Sequence, residues 1–411
     1  MRFVLSFLFS LVSTAACAEN VAIYGSDQFG TVIVIPSDDE YQVAANLIIA
    51  AGAAEDGARE GMAHFAKHHA FVGAVLATGY RGSINASTML QTTEFFTLTD
   101  PGSLNYVIGF FEAVLSNEPL PEAAFETERT RILREIEDAS NKPITSQERC
   151  AARMIIFANA PWRNCVLGQF DVLNTLTADD VRAFQSEYYT PDRSVLVIAG
   201  SVDLVTVQTL IPPKRAPRWL APPLADPVVN PAGSPVSTGI EGRLFLGYNV
   251  IDTPGSLTSS EQSALVMFAS IWSLEELRTA LSEALTGSTF VARNFNVLIE
   301  PLGSGMVLAT ITAELERGMT ADMARSAITK AIGELREPDR NLLLSQRAAL
   351  ADHAAQPSVY HQLLLVHLSH RLAPLTLPSL REAFEALPLD TIQSLTRAIY
   401  SPDSWQFISS R

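Results

Sequence analysis

The sequence is short of lysine, of cysteine and of charge altogether. Its 411 residues hold four lysines, Lys67, Lys142, Lys214 and Lys330, and Lys plus Arg number 29 against 44 Asp plus Glu, a formal net charge of −15. A chain this poor in clustered cations is not built to neutralise phosphates, which argues against a nucleic-acid partner. Charged residues make up 18% and apolar residues 47%, a balance that excludes extended disorder and supplies ample core. Three cysteines are too few for a disulfide-rich scaffold. After the first residues there is no uninterrupted apolar run of about 18, so no transmembrane helix is expected.

What is present begins with the N-terminus, MRFVLSFLFSLVSTAACAEN. A basic Arg2, an apolar run from Phe3 to Val12 and the small residues Ala16-Cys17-Ala18 read as a secretory signal over residues 1–18, cut after Ala18. The expected protein is exported, to the periplasm. A lipoprotein anchored through Cys17 is the alternative, weakened by Thr14 where such signals usually carry Leu. Cys150 and Cys165 then remain as an even pair in an oxidising compartment, either a disulfide or two unlinked buried thiols.

A chain of this length is expected to divide into about two domains. The Pro-rich stretch 212–236 reads as the linker between residues 19–211 and 237–411. A repeat supports that cut: Leu176–Asp192 reads LTADDVRAFQSEYYTPD and Leu387–Asp403 reads LPLDTIQSLTRAIYSPD. Leu, Asp, Tyr, Pro and Asp recur at identical offsets, Val181 answers Ile392 and Phe184 answers Leu395. Each copy precedes a short apolar strand, Val195–Ala199 or Trp405–Ile408. The expected fold class is α+β: two duplicated domains, each a mixed or antiparallel sheet flanked by helices. Strands are predicted at Thr31–Pro36, Val43–Ala51, Thr92–Thr99, Arg243–Val250, Val291–Ile299 and Met306–Ala313. Helices are predicted at Gly61–Thr78, Leu104–Leu115, Glu122–Asp138 and Ser146–Ala158.

His64 and His68, at i and i+4, project from one helix face about 6 Å apart at Cβ, a spacing that suits a zinc ion with a third oxygen ligand. Glu128 and Glu135, seven residues apart on a helix, point within about 20° of one another. They are either inward groups or part of a solvated face opposite Phe125, Ile132, Leu133 and Ile136. His69, turned about 100° from His68, is expected to be exposed. Arg134 reads as an ion-pair partner, and His361, His367 and His370 as ordinary helix-surface residues.

Gly61–His68 (GMAHFAKH), Gly82–Thr88 (GSINAST) and Glu128–Glu135 (ERTRILRE) resemble the insulinase/pitrilysin metallopeptidases, whose motif is H-x-x-E-H, and most of all the two-domain type related to mitochondrial processing peptidase subunits and bacterial zinc peptidases. The resemblance extends over nearly the whole mature chain and implies the family's duplicated domain. It implies that His64, His68 and Glu135 stand at the zinc ligands, Glu128 at a supporting second-shell glutamate, and Asn85 and Ala86 on the edge strand beside bound substrate. Lys67 stands where the family keeps the glutamate that activates the zinc-bound water. An ammonium cannot take that water's proton, and loss of a general base costs about 10²–10⁴-fold in rate. It also repels a dication, by about 4 kcal/mol for unit charges about 4 Å apart at an effective dielectric of about 20. Zinc is therefore the candidate cofactor, with Lys67 acting against its binding. Arg278 opens a segment like the one that supplies the family's substrate-holding arginine and tyrosine, but Phe290 or a small residue stands near the tyrosine's place.

The expected function is an exported, catalytically impaired homologue that serves as the peptide-binding subunit of a heterodimeric zinc peptidase. It would pair with a homologous catalytic subunit and hold an extended peptide. The alternatives are an active zinc metalloendopeptidase with a rearranged site, or a metal-free peptide-binding or scaffolding protein.

Overall fold

The computed structural model describes residues 21–38, 40–140, 150, 153–230, 244–253, 257–269, 271, 274–287, 291–303, 306–354, 356–372, 374 and 376–409. The expected leader with Cys17, Phe290 and the linker beyond residue 230 lie outside the described residues.

In the first half, β1 (Ala22–Tyr24), β2 (Thr31–Pro36), β3 (Val43–Ile49), β4 (Ile84–Thr88), β5 (Thr93–Thr99) and β6 (Ser194–Gly200) form one sheet in the order β1-β2-β6-β3-β5-β4. β2 and β6 run parallel and the other neighbours antiparallel, so the sheet is mixed. The central strands read as continuous Val/Ile runs because both of their faces are covered. Val32, Val34, Leu47, Ile49, Leu196 and Ile198 enter the core beneath the helices of the first half, whereas Ile33, Ile35, Ile48, Val195, Val197 and Ala199 share a core with the second half.

The helices that cover the first of those faces include α1 (Met62–Thr78), α2 (Leu104–Leu115) and α3 (Glu122–Ser140). α1 packs against α2, α3 and the helix Ala178–Tyr188. In the second half β7 (Leu244–Asp252), β8 (Ala292–Gly303), β9 (Met306–Leu315) and β10 (Gln406–Ser409) form an antiparallel sheet in the order β10-β7-β9-β8.

The sequence repeat appears as a repeated unit of structure. Helix Ala178–Tyr188, turn Pro191–Arg193 and β6 match helix Leu389–Ile399, turn Pro402–Ser404 and β10. Val181, Phe184, Ile392 and Leu395 are all buried. The fold is α+β with helices over both sheets. The helix predicted at Ser146–Ala158 stops at Ile156 within its described part, because Phe157 turns to pair with Val229.

Residues 212–230 of the Pro-rich stretch lie along the first half rather than spanning free. The Arg218 N–H donates to Gly30 O (2.9 Å), Leu220 N–H to Asp192 O (2.7 Å) and Asn230 N–H to Ile156 O (2.7 Å). Cys150 and Cys165 are joined as a disulfide. Among the described residues no helix is long and apolar enough to cross a membrane.

Candidate metal centre

α1 starts where the chain gives it a cap from a distance. Gly61 has φ +96°, a left-handed conformation that favours glycine, and a Cβ there would lie 2.7 Å from Gly168 Cα. The buried Asp56 carboxylate accepts from Gly61 N–H (2.7 Å) and Ala63 N–H (2.8 Å), satisfying donors that a helix start leaves open. One turn in stands His64, buried, followed by Lys67 and His68.

α3 brings the carboxylates. Glu128 is buried rather than part of a solvated face, and its Oε2 lies 3.0 Å from His68 Nδ1, while its other oxygen lies 3.3 Å from Arg131. Two turns on, Glu135 Oε2 lies 3.3 Å from His64 Nε2 and 3.6 Å from His68 Nε2. The two imidazoles meet edge to face with centroids 5.0 Å apart. The remaining nitrogen, His64 Nδ1, faces the Leu167 carbonyl at 3.4 Å. Each Nδ1 thus has an acceptor, which leaves each Nε2 turned toward the same glutamate oxygen.

That arrangement suits a cation. The ligand atoms of His64, His68 and Glu135 lie within 4.8 Å of one another, and His68 Nε2 is buried without a hydrogen-bond partner. Burial pushes His64 down to about 4, against the pull of Glu135, so its ring is neutral at pH 7. Burial would raise the Glu135 carboxyl, but the two imidazoles beside it, His64 the nearer, outweigh burial and hold the group well below the usual carboxylate range. Two imidazole nitrogens and a carboxylate turned toward one point fit a zinc ion with an open coordination position. Burial also lowers Lys67, while Glu135 and Glu128 pull it back up.

Other sequence-selected residues are not brought to this cluster. Asn85 and Ala86 lie on β4, the edge of the first sheet, where the Ala86 N–H donates to the Asn85 side-chain oxygen (2.8 Å). Arg278 lies in the second half on the helix Leu274–Leu281, 3.6 Å from Glu275. Arg134 makes no ion pair among the described residues; it lines a groove of about 450 Å³ along α3 with Thr127, Thr130, Arg131, Glu135 and Asp138.

Four histidine expectations need correction. His69 is fully buried, its ring edge-on to Phe125, because α1 is covered by α3 as well as by the helix Ala178–Tyr188. His367 is buried and hydrogen-bonded to Ser263 (2.8 Å), His361 reaches Asn46 across the halves (3.1 Å), and His370 is held by the Val366 carbonyl (2.8 Å). The helix Pro357–Ser369, which carries His361 and His367 and is capped at its end by His370, packs against the first sheet, so little of it is ordinary surface. Sequence reasoning also missed Leu167 and Asp56. The first acts through a backbone carbonyl, which leaves no side-chain signal, and the second lies five residues before the glycine that it caps.

Paired imidazoles on one helix, a glutamate on another, and two half-chains sharing a helix–turn–strand unit form a candidate two-His-one-carboxylate centre on a duplicated α+β fold, the pattern of a metallopeptidase class. Comparison with known proteins agrees. The family described as insulinase (peptidase family M16) matches residues 32–161, and the peptidase M16 inactive domain matches residues 175–239. The β subunit of the mitochondrial-processing peptidase of Blastocladiella emersonii is 28% identical over 159 residues, 36% of this chain and 34% of that subunit. An uncharacterised zinc protease of Streptomyces coelicolor is 26% identical over 257 residues, 57% of this chain and 53% of that protein. The chain thus matches between about a third and about a half of these relatives' lengths. The crystal structure of a protease from Helicobacter pylori superposes with a TM-score of 0.70 at 15% identity, covering 94% of this chain and 98% of that one. The chain belongs to the insulinase/pitrilysin family.

Proposed function

We propose that this chain is the non-catalytic, peptide-binding subunit of a heterodimeric zinc peptidase, exported to the periplasm and paired with a homologue that carries an intact H-x-x-E-H helix. Its domains would be 19–211 and 237–411, joined by 212–236. The observation that carries the reading is Lys67, one residue before His68 on α1, where a hydrolytic site needs a carboxylate.

His64, His68 and Glu135 would hold the metal, and Glu128 would fix the His68 ring by accepting its Nδ1–H. A bound zinc ion supplies Lewis-acid polarisation of a carbonyl and a bound water of lowered pKa. No side chain of α1 then serves to take that water's proton, because a Lys67 ammonium has no free lone pair. What the chain retains is a surface for binding. An extended peptide would add to the open edge of β4, where the Ala86 N–H can pass from the Asn85 side chain to the peptide backbone. Arg278 would serve as a further contact from the second half.

Peptide hydrolysis by the purified chain, by its paired homologue and by the two together tests this. The expected outcome is no hydrolysis by the chain alone and faster hydrolysis by the pair than by the homologue. Hydrolysis by the chain alone, abolished in His64→Ala, overturns the reading.

A further inference from the structure

The two imidazoles of the centre are steadied from different places. His68 is held by Glu128, a side chain of the neighbouring helix, but His64 Nδ1 faces the carbonyl of Leu167, in a loop that lies about a hundred residues further along the chain. Nothing in that loop is a metal ligand, yet it is fastened at several points. Cys165 is bonded to Cys150. The buried Asn164 donates through Nδ2 to Ala53 O (2.9 Å), and Gln169 donates through Nε2 to Glu60 (2.9 Å). Between them Gly168, at φ +81°, lies so close to α1 that a Cβ on it would stand 2.5 Å from Gly61 Cα and 2.6 Å from Glu60 O.

We propose that Leu167 is the positioning residue of His64, and that the Cys150–Cys165 bridge together with the Gly168–Gly61 contact holds its carbonyl in place. The Leu167 carbonyl accepts the Nδ1 proton, which commits the Nε2 lone pair to the metal side of the ring. This inference rests on the reading of His64, His68 and Glu135 as the metal set. It assigns the bridge a task that its position in the sequence does not suggest: opening it frees the partner of one ligand and leaves the partner of the other untouched.

The test compares the wild-type chain with the Cys150→Ser/Cys165→Ser double variant and with Gly168→Ala, which keeps the bridge but pushes the loop off α1. Two readouts are taken on folded protein: the ring proton signals of His64 and His68 in the metal-free chain, assigned by His→Gln variants, and zinc affinity by competition with a chelator. In both variants the His64 signal is expected to move while that of His68 stays, and zinc affinity is expected to fall about 10–100-fold. An unmoved His64 signal, or equal movement of both, overturns the inference. Should the double variant fail to fold, Gly168→Ala decides by the same signals. Should no form take up zinc, the metal reading falls, and the His64 signal still judges the positioning.

Discussion

In the proposed centre Lys67 would act through its charge. Replacing it by glutamate changes a repulsive charge, next to His68 in the chain and three residues after His64, into an attractive one, at a site where unit charges interact by several kcal/mol. Lys67→Glu is expected to raise zinc affinity at least about tenfold, a small part of that interaction, as measured by chelator competition and metal content. Glu128→Gln works in the opposite direction. Removing the charge that holds the His68 Nδ1 proton is expected to weaken zinc binding about 10–100-fold, with little effect on the unfolding midpoint if the amide still accepts that hydrogen bond. Glu128 was legible because seven residues make two helical turns and bring it in line with Glu135. His69 was not, since a single turn of helix says where a ring points and nothing about what covers it. Leu167 could not be read at all: any residue has a carbonyl.

The elements were easier to read than their ends. The Val/Ile runs of β2 and β3 and the apolar spacing of α2 place those elements within a residue or two of their observed limits. β8 runs on to Gly303, past an irregularity at Pro301, because its partner β9 continues the hairpin. The start of α1 was read only as a glycine, although its stability depends on Asp56. Asp56→Ala removes the acceptor of two buried N–H groups and is expected to cost about 1–2 kcal/mol. In urea titrations this should appear as a lower midpoint with an unchanged slope. The course of the Pro-rich stretch was not legible, since the hydrogen bonds that lay it on the first half are made by backbone groups, and prolines announce only where helices and strands stop.

At the scale of the whole molecule the duplication was visible in the repeat, but the common core was not, because a sheet covered on both faces does not reveal which partner covers which face. That core contains charged and titratable groups whose contacts cross between the halves. Arg371 is buried and lies 2.5 Å from Glu55, so Arg371→Met leaves a carboxylate without its partner and is expected to lower stability by about 3–5 kcal/mol in urea titrations, with part recovered by adding Glu55→Gln. His361 crosses the same boundary. Its Nε2 lies 3.1 Å from Asn46 Oδ1, and Asn46 donates in turn to Glu94 (2.7 Å). Burial pushes His361 down to about 4 from an ordinary 6.5. Between those values the unfolded chain holds the extra proton and the folded chain does not, so the contribution of His361 is complete above pH 6.5 and is lost as the pH falls through about 4. Glu94, raised by burial, acts in the opposite sense, and the buried His64, His69 and His370 act in the same sense as His361. Only a difference isolates one ring. His361→Gln keeps a donor toward Asn46 but does not titrate, so the stability of the wild type relative to this variant should fall by about 1–3 kcal/mol as the pH drops from about 7.5 to 5. Urea unfolding of both proteins at each pH measures that difference, and a constant gap would mean that the proton does not act at this boundary.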